Sequence, residues 1–109
     1  PSEEVERAVG FLSRRVTFHF QETPLDAAVE MLGELTGVTV QLDIPPGLGL
    51  TVTSRQRNVT LGAALDELLR PLEIEWTPNL LIDSALKIGG KLTDQERRTV
   101  RQVMGLLPK

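Results

Sequence analysis

Two stretches of this chain, "VTFHFQETPLDAAVEMLGELTGVTVQ" (residues 16–41) and "VTSRQRNVTLGAALDELLRPLEIEWT" (residues 52–77), decide the fold. They are copies of one unit. A shift of 36 residues lays Leu25 on Leu61, Ala27 on Ala63, Ala28 on Ala64 and Leu32 on Leu68. Val29 with Leu65, Glu30 with Asp66, Val38 with Ile74 and Val40 with Trp76 are conservative matches. Each copy reads strand, apolar helix, strand. Neither can bury its own apolar face, so the two must pack together.

Within the first copy, Val16, Phe18 and Phe20 alternate with Thr17 and His19, the period of a strand with one buried face. Gln21 to Thr23 read as a turn. Thr23 is the expected N-cap, with Pro24 at the first helical position and Asp26 in the capping-box position. The helix directs Leu25, Ala28, Val29, Leu32 and Leu35 inward. Gly37 ends it, and Val38, Val40 and Leu42 form the next strand. Asp43 to Gly49 join the copies through two prolines and two glycines.

The second copy opens with Leu50 and Val52. The polar run from Ser54 to Asn58 predicts a solvent-facing strand that can carry a bulge. Thr60 caps a helix with Leu61, Ala64, Leu65, Leu68 and Leu69 on its apolar side, and Pro71 stops it. Glu73 to Trp76 alternate as a strand. From Thr77 to Gly90 two readings stand. In the favoured one, Pro78-Asn79 turn the chain into a returning strand at Leu80–Ile82 or Leu86–Ile88. In the other, Asn79 caps a short helix ended by Gly89 and Gly90.

Terminal helices flank the repeat. Ser2 caps the first, over residues 2–14, with Val5, Ala8, Val9 and Leu12 at helical spacing. A capping box from Thr93 to Glu96 starts the last, over residues 93–107. Val100, Val103, Met104 and Leu107 share one of its faces, and Arg97, Arg98 and Arg101 lie around its polar side. The expected fold class is α+β: two βαβ-like units packed as small sheets around two helices, with extra N- and C-terminal helices. Residues 1–109 form a single domain with its core at residues 16–88.

The 109 residues are 40% hydrophobic, enough for one compact domain and too apolar for a disordered chain. No cysteine is present, which excludes disulfides and thiolate metal sites. A net charge of −3 lacks the electrostatic footprint of a nucleic-acid binder. No apolar run approaches the roughly 20 residues of a membrane span. The chain starts inside a helix pattern and reads as a domain excised from a longer protein.

Val16–Asp43 followed by Val52–Trp76 resembles the secretin/TonB short N-terminal domain family. The elements that carry the resemblance are Pro24-Leu25, Thr36-Gly37, Val38 to Val40, Val59-Thr60-Leu61, and Ala64-Leu65 with Leu68-Leu69. The resemblance covers about 60 of the 109 residues, and the residues that carry it are packing and turn residues. The resemblance implies a periplasmic module of two βαβ motifs with helices held between small sheets. In secretins such modules precede the outer-membrane pore and stack into rings. In TonB-dependent transducers a similar module meets an inner-membrane regulator.

A search for chemistry finds little. His19 is the lone histidine and alternates against Phe18 and Phe20, so it is expected on the exposed strand face. No nucleophile motif surrounds Ser2, Ser13, Ser54 or Ser84. Glu73 and Glu75 would share a strand face about 7 Å apart, the solvated side of a half-buried strand. Gly89-Gly90-Lys91 lacks the other residues of a phosphate loop, with Ala85 and Leu92 where glycine and a hydroxyl belong. No catalytic residue, cofactor site or metal site is therefore expected.

The expected function is a non-catalytic protein–protein interaction or assembly module of a bacterial envelope or secreted protein. Its partner would be another protein or a neighbouring domain of the same chain, with homo-oligomers allowed and no direct membrane insertion. Val52, Ser54, Arg55 and Arg57, on the strand at the start of the second copy, are the expected partner-binding residues. That strand could pair with a partner through its open edge. The alternatives are an accessory domain of a larger extracytoplasmic enzyme or sensor, and a KH-like nucleic-acid-binding domain using Arg55 and Arg57. The latter would need a basic face and stacking aromatics.

Overall fold

The computed structural model describes residues 2–109. Four helices and five strands follow one another as α1 (Glu3–Leu12), β1 (Arg15–Pro24), α2 (Leu25–Thr36), β2 (Thr39–Asp43), β3 (Thr51–Thr60), α3 (Leu61–Leu69), β4 (Trp76–Pro78), β5 (Ala85–Gly89) and α4 (Asp94–Leu106). A 3-10 turn at Arg70–Leu72 extends α3. β1 and β3 pair antiparallel as a two-stranded ribbon. β2, β5 and β4 form a second sheet, with β2 parallel and β4 antiparallel to the central β5. The fold is the α+β class expected, with terminal helices added to two repeated units.

The repeat is visible in the main chain itself. Leu25 N–H donates to Leu50 O and Leu61 N–H donates to Arg14 O, both at 2.9 Å. Val38 N–H bonds Gly33 O at 2.9 Å, and Ile74 N–H bonds Leu69 O at 3.2 Å. The left-handed residues recur at the same offset: Glu22 with Asn58, and Gly37 with Glu73. Each member of these pairs is 36 positions from its mate. The two units are thus related by a pseudo-dyad, which makes β1 and β3 mates in the ribbon and β2 the mate of β4. β5 has no counterpart and lies between β2 and β4.

The core is the shared interior of the two units. Val16, Phe18 and Phe20 of β1 meet Leu25, Ala28, Val29 and Leu32 of α2 and Leu61, Ala64, Leu65, Leu68 and Leu69 of α3, all buried. Phe18 and Phe20 stack with ring centroids 4.8 Å apart. Gly33 lets α2 approach β2. A Cβ there would stand 2.5 Å from Val38 O, a main-chain atom that cannot swing away. From α1, Val5, Ala8, Phe11 and Leu12 join the core, and from α4 only Val103 is fully inside. Gly62 at the start of α3 leaves room for Met104 and Leu107 of the last helix.

Several local expectations change. Leu35 is exposed and Thr36 is buried in its place. Pro24 is the N-cap of α2 and Leu25 its first residue. Thr23 Oγ1 accepts from Gln21 N–H instead of capping the helix, and Asp26 Oδ1 accepts from Ala27 N–H. Gln21 to Thr23 do not turn the chain, because β1 runs on through a bulge. Glu73 is not in a strand: it sits left-handed at the end of the 3-10 turn, the mate of the Gly37 cap. Glu73 and Glu75 therefore do not share a strand face. In the stretch from Thr77 to Gly90, β5 is the returning strand and Asn79 caps no helix, although its Oδ1 accepts from Leu81 N–H.

Ser2, Thr60 and Thr93 act as N-caps, each accepting from the main-chain N–H three residues on. At Thr93 the box is complete, because Glu96 Oε1 accepts from Thr93 N–H at 2.8 Å. Among the described residues no helix is long and apolar enough to cross a membrane.

Candidate functional site

The sheet edges and the surfaces beside them are where this module can engage another molecule. The ribbon has two strands, so β1 and β3 each keep one edge that no strand pairs. Alternation sends Val52 inward, where it is buried, and Ser54 after it. Ser54 Oγ is buried without a hydrogen-bond partner. It lines a groove of about 270 Å³ between β3 and the end of α3, with Glu67, Leu68, Pro71 and Leu72. Arg55 and Arg57 face the other way and are exposed. The four expected binding residues thus divide between the two faces of β3. Only the arginines offer side chains to solvent, while Val52 offers main chain alone.

The outer face of the ribbon gathers cations that are distant in sequence. His19 lies directly opposite Arg55. Arg15 at the start of β1 reaches across to Asn58 O at 3.0 Å and to Lys109 O at 3.3 Å. Arg15, His19, Arg55 and Arg57 are all exposed on this face, with Thr17 and Thr53 between them. On a chain of net charge −3 this is a local reversal of sign. No phenyl or indole ring accompanies it: Phe11, Phe18, Phe20 and Trp76 are all buried.

Two further grooves are mates under the pseudo-dyad, and they differ. In the second unit the groove lies between α3 and β4 and has a volume of about 390 Å³. Leu69, Ile74 and Trp76 form its floor, and Leu92 together with Arg97 and Val100 of α4 forms its far wall. Arg97 grips Glu75 with two parallel bonds, Nε to Oε2 at 2.8 Å and Nη2 to Oε1 at 3.0 Å. It also bonds Asp94 at 3.2 Å. This hydrogen-bonded guanidinium holds the Glu75 carboxyl below the usual carboxylate range. Trp76 Nε1 donates to Asp66 Oδ1 at 3.1 Å. On the opposite side of β4, Thr93, Glu96 and Thr99 of the last helix stand beside Thr77. α4 therefore closes the edge of β4.

In the first unit the mate of this groove lies between α2 and β2 and has a volume of about 530 Å³. No helix closes it. Val38, Val40 and Leu42 line its floor, and Asp26, Glu30 and Glu34 form one wall. All three acids are exposed, and none is in an ion pair among the described residues. Sequence reading did not single them out. Their spacing of four residues was the available signal, since it sets all three along one side of a helix.

Compared with family models, characterised proteins and solved structures, the chain matches none.

Proposed function

We propose that this chain is a non-catalytic protein–protein interaction module of an envelope or secreted protein, of the type found at the N-terminus of secretins and TonB-dependent transducers. The duplicated strand–helix–strand architecture, with α2 and α3 packed against two small sheets, supports that reading. The observation that carries it is the outer face of the ribbon, exposed and bearing Arg15, His19, Arg55 and Arg57. The arginines favour an acidic partner surface. Burial of every phenyl and indole ring weighs against a single-stranded nucleic acid, whose bases stack on such rings.

A photo-crosslinking amino acid placed at Arg57 in the full-length protein, in its native cell, tests this. One discrete protein adduct is expected, and it should be lost when Arg55 is changed to glutamate. Absence of an adduct, or an adduct with nucleic acid, would contradict the reading. Fractionation of the same cells should find the module outside the cytoplasm.

A further inference from the structure

We propose that the groove between α2 and the free edge of β2 takes an extended, basic segment of a partner protein, which adds as a fourth strand beside β2. This surface is distinct from Arg55 and Arg57, so it stands or falls apart from the ribbon.

The first observation is the state of the edges. Sheet edges that must not pair are blunted by bulges, prolines, lysines or a covering helix. β1 is bulged at Glu22 and ends in Pro24, and β3 is bulged at Asn58. β4 ends in Pro78 and is closed by α4. Among the described residues β2 carries no bulge, proline or lysine and no helix covers its edge; the linker from Ile44 to Leu50 passes beside Leu42 and Asp26 at one end. The five residues of β2, Thr39-Val-Gln-Leu-Asp43, run in unbroken register along β5. Its other side faces no strand. Val40 and Leu42 are only partly covered, although both pack on the core.

The pseudo-dyad supplies the second observation. The equivalent edge in the other unit is covered, and the covering element delivers an arginine to a carboxylate, Arg97 on Glu75. In the first unit Thr39 stands at the place of Glu75; the carboxylates lie on α2 instead, with Glu30 the mate of Asp66, and among the described residues no cation pairs with them.

Spacing is the third. Asp26, Glu30 and Glu34 follow one another at about 6 Å along the α2 axis, from a rise of about 1.5 Å per residue. Alternate side chains of an extended strand are about 6.7 Å apart. A strand added to β2 directs every second side chain toward α2. Lysine or arginine at those positions lays its aliphatic stem over the apolar floor and its charge against the wall. A neutral or acidic segment would leave three carboxylates facing apolar or like-charged groups.

The test uses the isotope-labelled 109-residue chain and a capped hexapeptide, Lys-Thr-Lys-Val-Lys-Thr, in an NMR titration. Chemical shifts should move in Thr39–Asp43 and along α2, and amide exchange in β2 should slow by about tenfold or more. A variant combining Asp26→Asn, Glu30→Gln and Glu34→Gln, all exposed positions, should stay folded and bind at least about tenfold more weakly, the loss expected for several charge pairs. Raising the salt should weaken the wild-type complex in the same direction. No shifts at millimolar peptide, shifts centred elsewhere, unchanged affinity in the triple variant, or a helical peptide in the complex would each overturn the proposal.

Discussion

Glu22 and Asn58 are left-handed residues that lock the two halves of the ribbon to each other. Glu22 N–H donates to Thr53 Oγ1, and Asn58 N–H donates to Thr17 Oγ1, both at 2.9 Å. Each bulge is therefore closed by a threonine of the other copy, and the two closures are related by the pseudo-dyad. A main-chain N–H turned out of the ladder needs an acceptor, and the threonine supplies it.

Thr17→Val and Thr53→Val should destabilise by similar amounts, about 1 kcal/mol each, because each removes one such acceptor without changing the side chain's shape. Glu22→Gly and Asn58→Gly place the residue best suited to positive φ at the same points and should be neutral or mildly stabilising. Urea unfolding of the four variants checks both statements. A large difference between Thr17→Val and Thr53→Val would show that the two bulges are not equivalent.

Gly33→Ala and Gly10→Ala separate packing from helix propensity. Both glycines are in helices, but a Cβ at Gly33 meets Val38 O at 2.5 Å while one at Gly10 meets nothing within 4 Å. Gly33→Ala should cost about 2 kcal/mol or more through displacement of β2 from α2. Gly10→Ala should gain about 0.5–1 kcal/mol from the helix alone. Thermal unfolding midpoints should move in opposite directions.

Ser54→Ala should stabilise the module by roughly 1 kcal/mol, because it removes a buried hydroxyl that has no partner. Arg57→Ala, on the outer face of the same strand, should leave stability within about 0.5 kcal/mol. Chemical denaturation of the pair distinguishes the two faces of β3. Ser54→Ala more than 1 kcal/mol below the wild type would place a partner on that hydroxyl.

The pH dependence should carry the signature of Glu75. Its folded carboxyl lies below the usual range because Arg97 hydrogen-bonds its charged form. Its contribution is therefore full above the unfolded value of about 4.3 and is lost as pH falls through the lower folded value. Both side chains of the pair are over a third exposed, so solvent screens it and its contribution is small. Glu75→Gln should lower stability slightly at neutral pH and flatten its decline below about pH 4.3. Stability curves from pH 2 to 7 for both proteins measure this. Parallel curves would show that the pair does not hold α4.

The repeat was legible because its marks are packing residues. Leu25 and Leu61, and Ala28 and Ala64, must recur if two helices fill equivalent halves of one core. The N-caps at Ser2, Thr60 and Thr93 were legible because each is a local bond between near neighbours. The bulges were half legible: the polar run before Asn58 allowed one, while Glu22 gave no sign. Left-handed conformation is read from glycine, and these positions hold glutamate and asparagine, kept there by threonines 31 and 41 residues away. Glu73 misled for the same reason, as a strand-like alternation in the place where the first copy has Gly37. The α2–β2 groove was not legible. Its character lies in what covers β4 and fails to cover β2, a tertiary difference between two similar sequences. Of the binding residues, Arg55 and Arg57 could be placed on a solvent face, but their company with Arg15 and His19 depends on ribbon register.

Both proposed surfaces follow from the relation of residue n to residue n + 36, so the most direct measurement is a nuclear Overhauser spectrum of the labelled chain. It should show the Glu22 amide proton close to the Thr53 side chain and the Asn58 amide proton close to the Thr17 side chain, with left-handed couplings at Glu22, Asn58, Gly37 and Glu73. One contact without the other, or right-handed backbone at either bulge, would contradict the duplicated, interlocked architecture.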